Sequence, residues 1–80
     1  MYLITVLNSN TGDQVIALSN KEHKQDWVRQ SILDCYGGEE EFNNDIINLP
    51  YRKAIALAES EDLLISVVKA ELNTIVLDLS

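Results

Sequence analysis

SNKEHKQDWVRQSILDCYGGEEEFNND, residues 19–45, organises the rest of the chain around a helix, a glycine stop and an acidic run. It opens on residues that cap helices, Ser19 and Asn20, with Glu22 close enough to the start to meet the positive end of the helix dipole. At 100° per residue Lys24, Val28, Ser31, Ile32, Cys35 and Tyr36 share one face, and Trp27 lies on its edge. Asp26, Arg29, Gln30 and Asp34 point away, and Leu33 falls among them as an exposed apolar side chain. Gly37 and Gly38 stop the helix, since glycine accepts the left-handed conformation that follows a helix C-terminus. A second short helix is expected from Glu39 to Ile47, with Phe42, Ile46 and Ile47 as its inward candidates.

Upstream, Tyr2 to Leu7 is rich in β-branched and aromatic residues, and both of its alternating sets are largely apolar, so it reads as a strand buried on much of both faces. Asn8-Ser9-Asn10-Thr11-Gly12-Asp13 collects turn formers, and Gln14 to Leu18 resumes an apolar run, which makes a β-hairpin. Downstream, Pro50 ends the second helix, because the residue before proline is pushed out of helical geometry. Tyr51 to Glu59 then reads as a third helix burying Tyr51, Ala54, Ile55, Leu57 and Ala58. Leu63 to Val68 is read as a strand. The rival helix from Glu61 to Leu72 would set Glu71 in the middle of an apolar face. A turn over Ala70 to Asn73 and a last strand from Thr74 to Leu79, with Ile75, Leu77 and Leu79 inward, complete the chain. The expected fold class is α+β: a small antiparallel sheet with two or three helices packed on one face, in a single domain spanning residues 1–80.

Charge narrows the functional classes. The chain of 80 residues carries 13 acids against 6 lysines and arginines, a net charge of −7 that repels nucleic acid and anionic membrane. No apolar run is long enough to span a bilayer, the N-terminus lacks signal-peptide order, and a single cysteine cannot form an internal disulfide. The cytoplasm is the expected compartment.

Catalytic chemistry finds no constellation. Cys35 and His23 lie about three turns apart on one helix, too far to activate one another, so Cys35 reads as a core residue and His23 as a solvated one. Two Cys or His side chains are too few for zinc. Asn8, Asn10, Gly12 and Asp13 lack the bidentate glutamate of a calcium loop, so no metal, no cofactor and no enzymatic role are expected.

What stands out is segregation. Between Arg29 and Arg52 there is no basic residue, yet the interval holds Asp34, Glu39, Glu40, Glu41 and Asp45. Such a run suits a basic partner surface, with Leu33 beside it as an apolar contact. A plain solvated helix start, favoured by the dipole, is the simpler alternative. The run Gly37 to Phe42 is one glutamate longer than the Gly-Gly-Glu-Glu-Phe signature of diguanylate cyclases, and no phosphate-binding elements surround it, so that match is set aside.

Glu39-Glu40-Glu41-Phe42-Asn43-Asn44-Asp45 also resembles an acidic segment of small anti-CRISPR proteins, phage inhibitors of RNA-guided nucleases, with Asn43 in the place of a Tyr. Lys69-Ala70-Glu71-Leu72-Asn73 is similar to the end of such a protein, with Ala70 replacing Ser. The resemblance implies a nucleic-acid mimic whose Glu39, Glu40 and Asp45 stand in for phosphates in the basic groove that reads the duplex beside the target. The expectation is therefore a stoichiometric inhibitor that occludes a basic surface of a partner protein, itself a nucleic-acid-binding protein on the resemblance. The alternative is a structural module that forms a homodimer through Trp27, Leu33 or an unpaired edge strand.

Overall fold

Alternation of large apolar side chains sets the sheet. In the computed structural model, which describes residues 1–71 and 74–77, Tyr2–Asn8 forms β1 and Gln14–Ser19 forms β2. Three helices follow, α1 (Lys24–Tyr36), α2 (Glu40–Asn48) and α3 (Tyr51–Ser60), then β3 (Leu63–Glu71) and β4 (Thr74–Leu77). The strands lie in the order β2-β1-β3-β4, every neighbouring pair antiparallel. The α+β class and the single layer of helices on the sheet are as expected from the sequence.

The helix-covered face of the sheet presents Tyr2, Ile4 and Val6 from β1 and Leu63 and Val67 from β3, all buried. Against them pack Val28, Ile32 and Cys35 of α1, Phe42 and Ile46 of α2, and Ala54 and Ala58 of α3. Helix α1 crosses β1 and β2, α3 lies on β3, and α2 rests against both helices. Full burial of a residue such as Ile4, Ile32, Ile46 or Leu63 is worth roughly 1.5–3 kcal/mol each, more than a typical hydrogen bond between neutral groups, so this cluster dominates stability.

Polar groups fix the ends of the elements. Asn8 is buried, and its Oδ1 accepts the backbone N–H groups of Asn10 at 3.0 Å and Thr11 at 3.3 Å, closing the hairpin turn. Ser9 donates through both N–H and Oγ to the carbonyl of Asp62, at 3.1 and 2.8 Å, and Asn10 Nδ2 donates to the Asp62 carboxylate at 3.0 Å. Asp62 itself has φ of 64°, a left-handed conformation aspartate tolerates. The β1–β2 turn is thereby tied to the turn that starts β3. Among the described residues no group of three or more His, Cys, Asp or Glu side chains is disposed to hold a metal ion.

Five expectations need correction. Helix α1 begins at Lys24, because Asn20 caps a preceding turn instead, its Oδ1 accepting the N–H of His23 at 2.9 Å. Gly37 is extended, with φ of −60°, so it is not the left-handed residue; Gly38, at φ of 150°, carries the positive angle. Ile47 is exposed, since α2 turns only Phe42 and Ile46 inward. Strand β3 runs on through Ala70 and Glu71 where a turn was expected, because its ladder to β4 starts at Glu71 opposite Thr74. Strand β1 is buried on the helix side alone; Leu3 is exposed and Thr5 and Leu7 are half-buried on the other. The expected strand continues to Leu79, which lies outside the described residues.

Candidate functional site: an acidic groove on the helix layer

The acids of the central stretch separate into two groups once the chain folds. Glu39 is the residue before α2, Glu41 is in its first turn, and Asp45 follows one turn later on the same side. They line an open groove of about 240 Å³ together with Glu61, which arrives from the end of α3. Tyr36, Phe42 and Leu57 complete it. Glu40 lies exposed outside this groove, and so does Asp34, whose carboxylate accepts the side-chain amide of Gln30 at 2.8 Å along α1.

The groove is held open by its apolar and aromatic members. Phe42 is buried and meets Tyr36 edge to face, the ring centroids 5.1 Å apart at 75°. Such a contact contributes about 0.5–1.5 kcal/mol beyond area burial and locks the end of α1 to the start of α2. Gly38 N–H donates to Asn43 Oδ1 at 3.3 Å, which draws the linker onto α2. The Glu39 side chain makes no capping hydrogen bond, so its carboxylate is available to the groove.

Among the described residues no ion pair joins a lysine or arginine to Glu39, Glu41, Asp45 or Glu61, and His23 approaches Asp26 at 3.9 Å. Arg29, the last basic side chain before this run, is engaged elsewhere. Its Nη1 donates to the carbonyls of Ile46 at 2.6 Å, Ile47 at 3.2 Å and Leu49 at 2.8 Å, at the C-terminal end of α2. These carboxylates therefore gather without a paired cation among the described residues, which water tolerates: two unit charges ~7 Å apart repel by only about 0.6 kcal/mol at the dielectric of water.

One group in the groove records that field. Tyr36 Oη donates to Glu61 Oε2 at 3.1 Å, and its pKa is raised, first by this hydrogen bond and then by the Glu61 charge, with smaller contributions from burial, Glu39 and Asp62. A phenol whose pKa is higher folded than unfolded holds its proton more tightly in the native state. Its contribution to stability is thus complete below the ordinary phenol value of about 10 and is lost as pH rises above it. We expect Tyr36 to titrate late in an ultraviolet titration, and Tyr36→Phe to remove both that late step and the corresponding fall in stability.

Leu33 takes a different place from the one expected. It is half-buried and packed against the core, and it lines a shallow groove with Gln25, Arg29 and Ile47. The outward side of α1 is partly covered because α2 lies against it. Cys35 is buried, its Sγ pointing to the carbonyls of Val6 and Asp13 at 3.7 and 3.5 Å, and burial raises its pKa. That is the environment of an unreactive thiol. Sequence reasoning missed Glu61: it lies sixteen residues beyond Asp45, counting from 45 to 61, and only the return of α3 brings the two together.

No protein-family model, curated protein or solved structure matches this chain. Among the described residues no helix is long and apolar enough to cross a membrane.

Proposed function

We propose that the protein is a small cytoplasmic binding module that docks its acidic groove on a basic surface of a partner protein, acting as a stoichiometric inhibitor of that surface. The observation that carries this reading is the convergence of Glu39, Glu41, Asp45 and Glu61 around Tyr36, Phe42 and Leu57, with no described lysine or arginine paired to them. An arginine side chain suits such a site. Its guanidinium meets carboxylates through charge-assisted, often bidentate hydrogen bonds, and its flat face stacks on aromatic rings. The resemblance of residues 39–45 to the acidic segment of anti-CRISPR inhibitors names one surface of this kind, the basic groove of an RNA-guided nuclease, which binds a duplex through its phosphates.

Two double reversals of equal charge change separate a defined site from bulk charge. Glu39→Lys with Glu41→Lys converts the groove, and Asp34→Lys with Glu40→Lys changes the net charge identically outside it. Titrated calorimetrically with an arginine-rich peptide at low salt, the groove variant should lose binding by about 100-fold or more, two lost charge-assisted contacts at ~1.5–3 kcal/mol each. The outer variant should lose less than about tenfold, and raising the salt to about 1 M should abolish wild-type binding, because the screening length shrinks to ~3 Å. Equal losses in the two variants would reduce the effect to net charge, and undiminished binding by the groove variant would remove the reading altogether. With an RNA-guided nuclease in place of the peptide, the same pair tests inhibition of DNA cleavage.

A further inference from the structure

We propose that the open face of the sheet is a homodimer interface, covered in solution by a second copy of this chain. The helices occupy one side only, and the other side carries three cross-strand rows set by the register of β1 with β2 and β3. One row is Leu18, Leu3 and Val68; the next is Ile16, Thr5 and Ser66; the third is Gln14, Leu7 and Leu64. Ile16 is 63% exposed, Leu64 59%, Leu18 58% and Leu3 37%. Scattered exposed apolar side chains are ordinary, but these four share one face of the sheet, Leu3 beside Leu18, Ile16 next on β2 and Leu64 linked to them through Leu7, a patch of the kind that proteins cover.

Charge identifies the occupant. In a chain of net charge −7, none of these nine outward positions bears a charge. A basic partner would find no carboxylate there, and an anionic membrane would be repelled by the rest of the molecule. A second copy related by a two-fold axis sets neutral rows on neutral rows and leaves both acidic grooves on the far sides of the assembly, each beyond its own sheet. The two sheets would stack about 10 Å apart, their strands within ~30° of parallel alignment. Four strands ~4.8 Å apart and ~20 Å long give a footprint on the order of 400 Å². Allowing for side-chain relief, the dimer buries about 1,000 Å² in total, at the lower limit for a specific interface, so a micromolar association is expected.

Salt distinguishes this contact from acidic docking. Two copies of net charge −7 repel, so the dimer tightens as salt screens them, whereas binding of a basic partner weakens. Light scattering on the full chain from about 1 µM to about 1 mM should show the mass rise from 9.0 kDa towards twice that value. Ile16→Glu with Leu64→Glu should hold the mass at the monomer value, while Ile47→Asp, on the helix layer, should leave dimerisation unchanged. Should the double variant fail to fold, dilution of isotopically labelled wild type serves instead: the methyl signals of Ile16, Leu18 and Leu64 should move and those of Ile47 should not. A monomer throughout the range, a dimer that survives the double substitution with unchanged circular dichroism, or dilution shifts centred on Trp27 and Ile47 would each overturn the proposal.

Discussion

Replacing Arg29 with alanine lowers the unfolding free energy by about 2–4 kcal/mol, against a total of only ~5–10 for a domain of this size. The basis is the end of α2. That helix has nine residues, too few to persist alone, and no basic residue in its last turn. Its terminal carbonyls have no partners within the helix, and Arg29 reaches across from α1 to supply them. Two hydrogens on Nη1 serve three acceptors, the carbonyls of Ile46, Ile47 and Leu49, and the guanidinium carbon sits 6.0 Å from the centre of the Tyr51 ring. Hydrogen bonds to a charged donor are each worth roughly 1.5–3 kcal/mol, and a cation at a helix C-terminus adds about 0.3–1. Partial exposure lets water replace some of this, which brings the sum down to the stated range. Lysine at position 29 should restore less than half, because a point charge cannot reproduce the planar fork. Urea denaturation is the measurement, with Arg52→Ala as an exposed control expected within about 0.5 kcal/mol of wild type. Salt decides the cause: contacts to carbonyls persist near 1 M salt, where pairing to surface carboxylates would be screened away. A cost that vanishes at high salt would mean that Arg29 acts on the acidic run after all.

That one side chain also explains why part of the molecule could be read from sequence and part could not. The strand at residues 2–8, the hairpin, the buried stripe of α1 and the choice of strand for β3 follow from local periodicity, which a chain displays without reference to what it packs on. Periodicity also separates the two sides of a helix, but it cannot say which sides a second neighbour will cover. Helix α1 is clasped by the sheet on one side and by α2 on another, so Leu33 and Arg29, placed outward by the wheel, are partly covered. The same ignorance works in reverse for β1. Both of its faces are apolar, which reads as double burial, yet the helices fill one side and leave Leu3 in the open. For the acidic groove, Glu39, Glu41 and Asp45 are legible as a run because they are near in sequence. Glu61 is not, since its membership depends on where α3 returns, a property of packing and not of pattern.

Alanine at Gly37 is expected to destabilise the protein by about 2–3 kcal/mol, more than alanine at Gly38 and for a different reason. The backbone at Gly37, with φ of −60° and ψ of 156°, is one that alanine adopts freely, so no dihedral strain arises. Space is the obstacle. A Cβ there would collide with the Leu33 carbonyl oxygen and come within 3.1 Å of its carbon and 3.4 Å of Asn43 Oδ1. Because the first two are backbone atoms, they cannot turn aside as a side chain does. Relief requires either breaking the Gly37 N–H to Leu33 carbonyl bond, 2.6 Å long, that ends α1, or moving the linker that carries Glu39. Gly38 offers the contrasting case: a Cβ meets nothing within 4 Å, but φ of 150° is left to glycine, at a cost of about 1–2 kcal/mol in strain. The two substitutions therefore part company in function. Gly37→Ala should shift Glu39 away from Tyr36 and weaken binding of an arginine-rich peptide as well as stability, whereas Gly38→Ala should lower stability with binding by the folded fraction preserved. Denaturation and calorimetry on both variants, corrected for the folded fraction, give the comparison. Equal peptide affinity in the two would show that the joint between α1 and α2 does not hold the carboxylates in register, and the groove would then owe its shape to Phe42 and Leu57 alone.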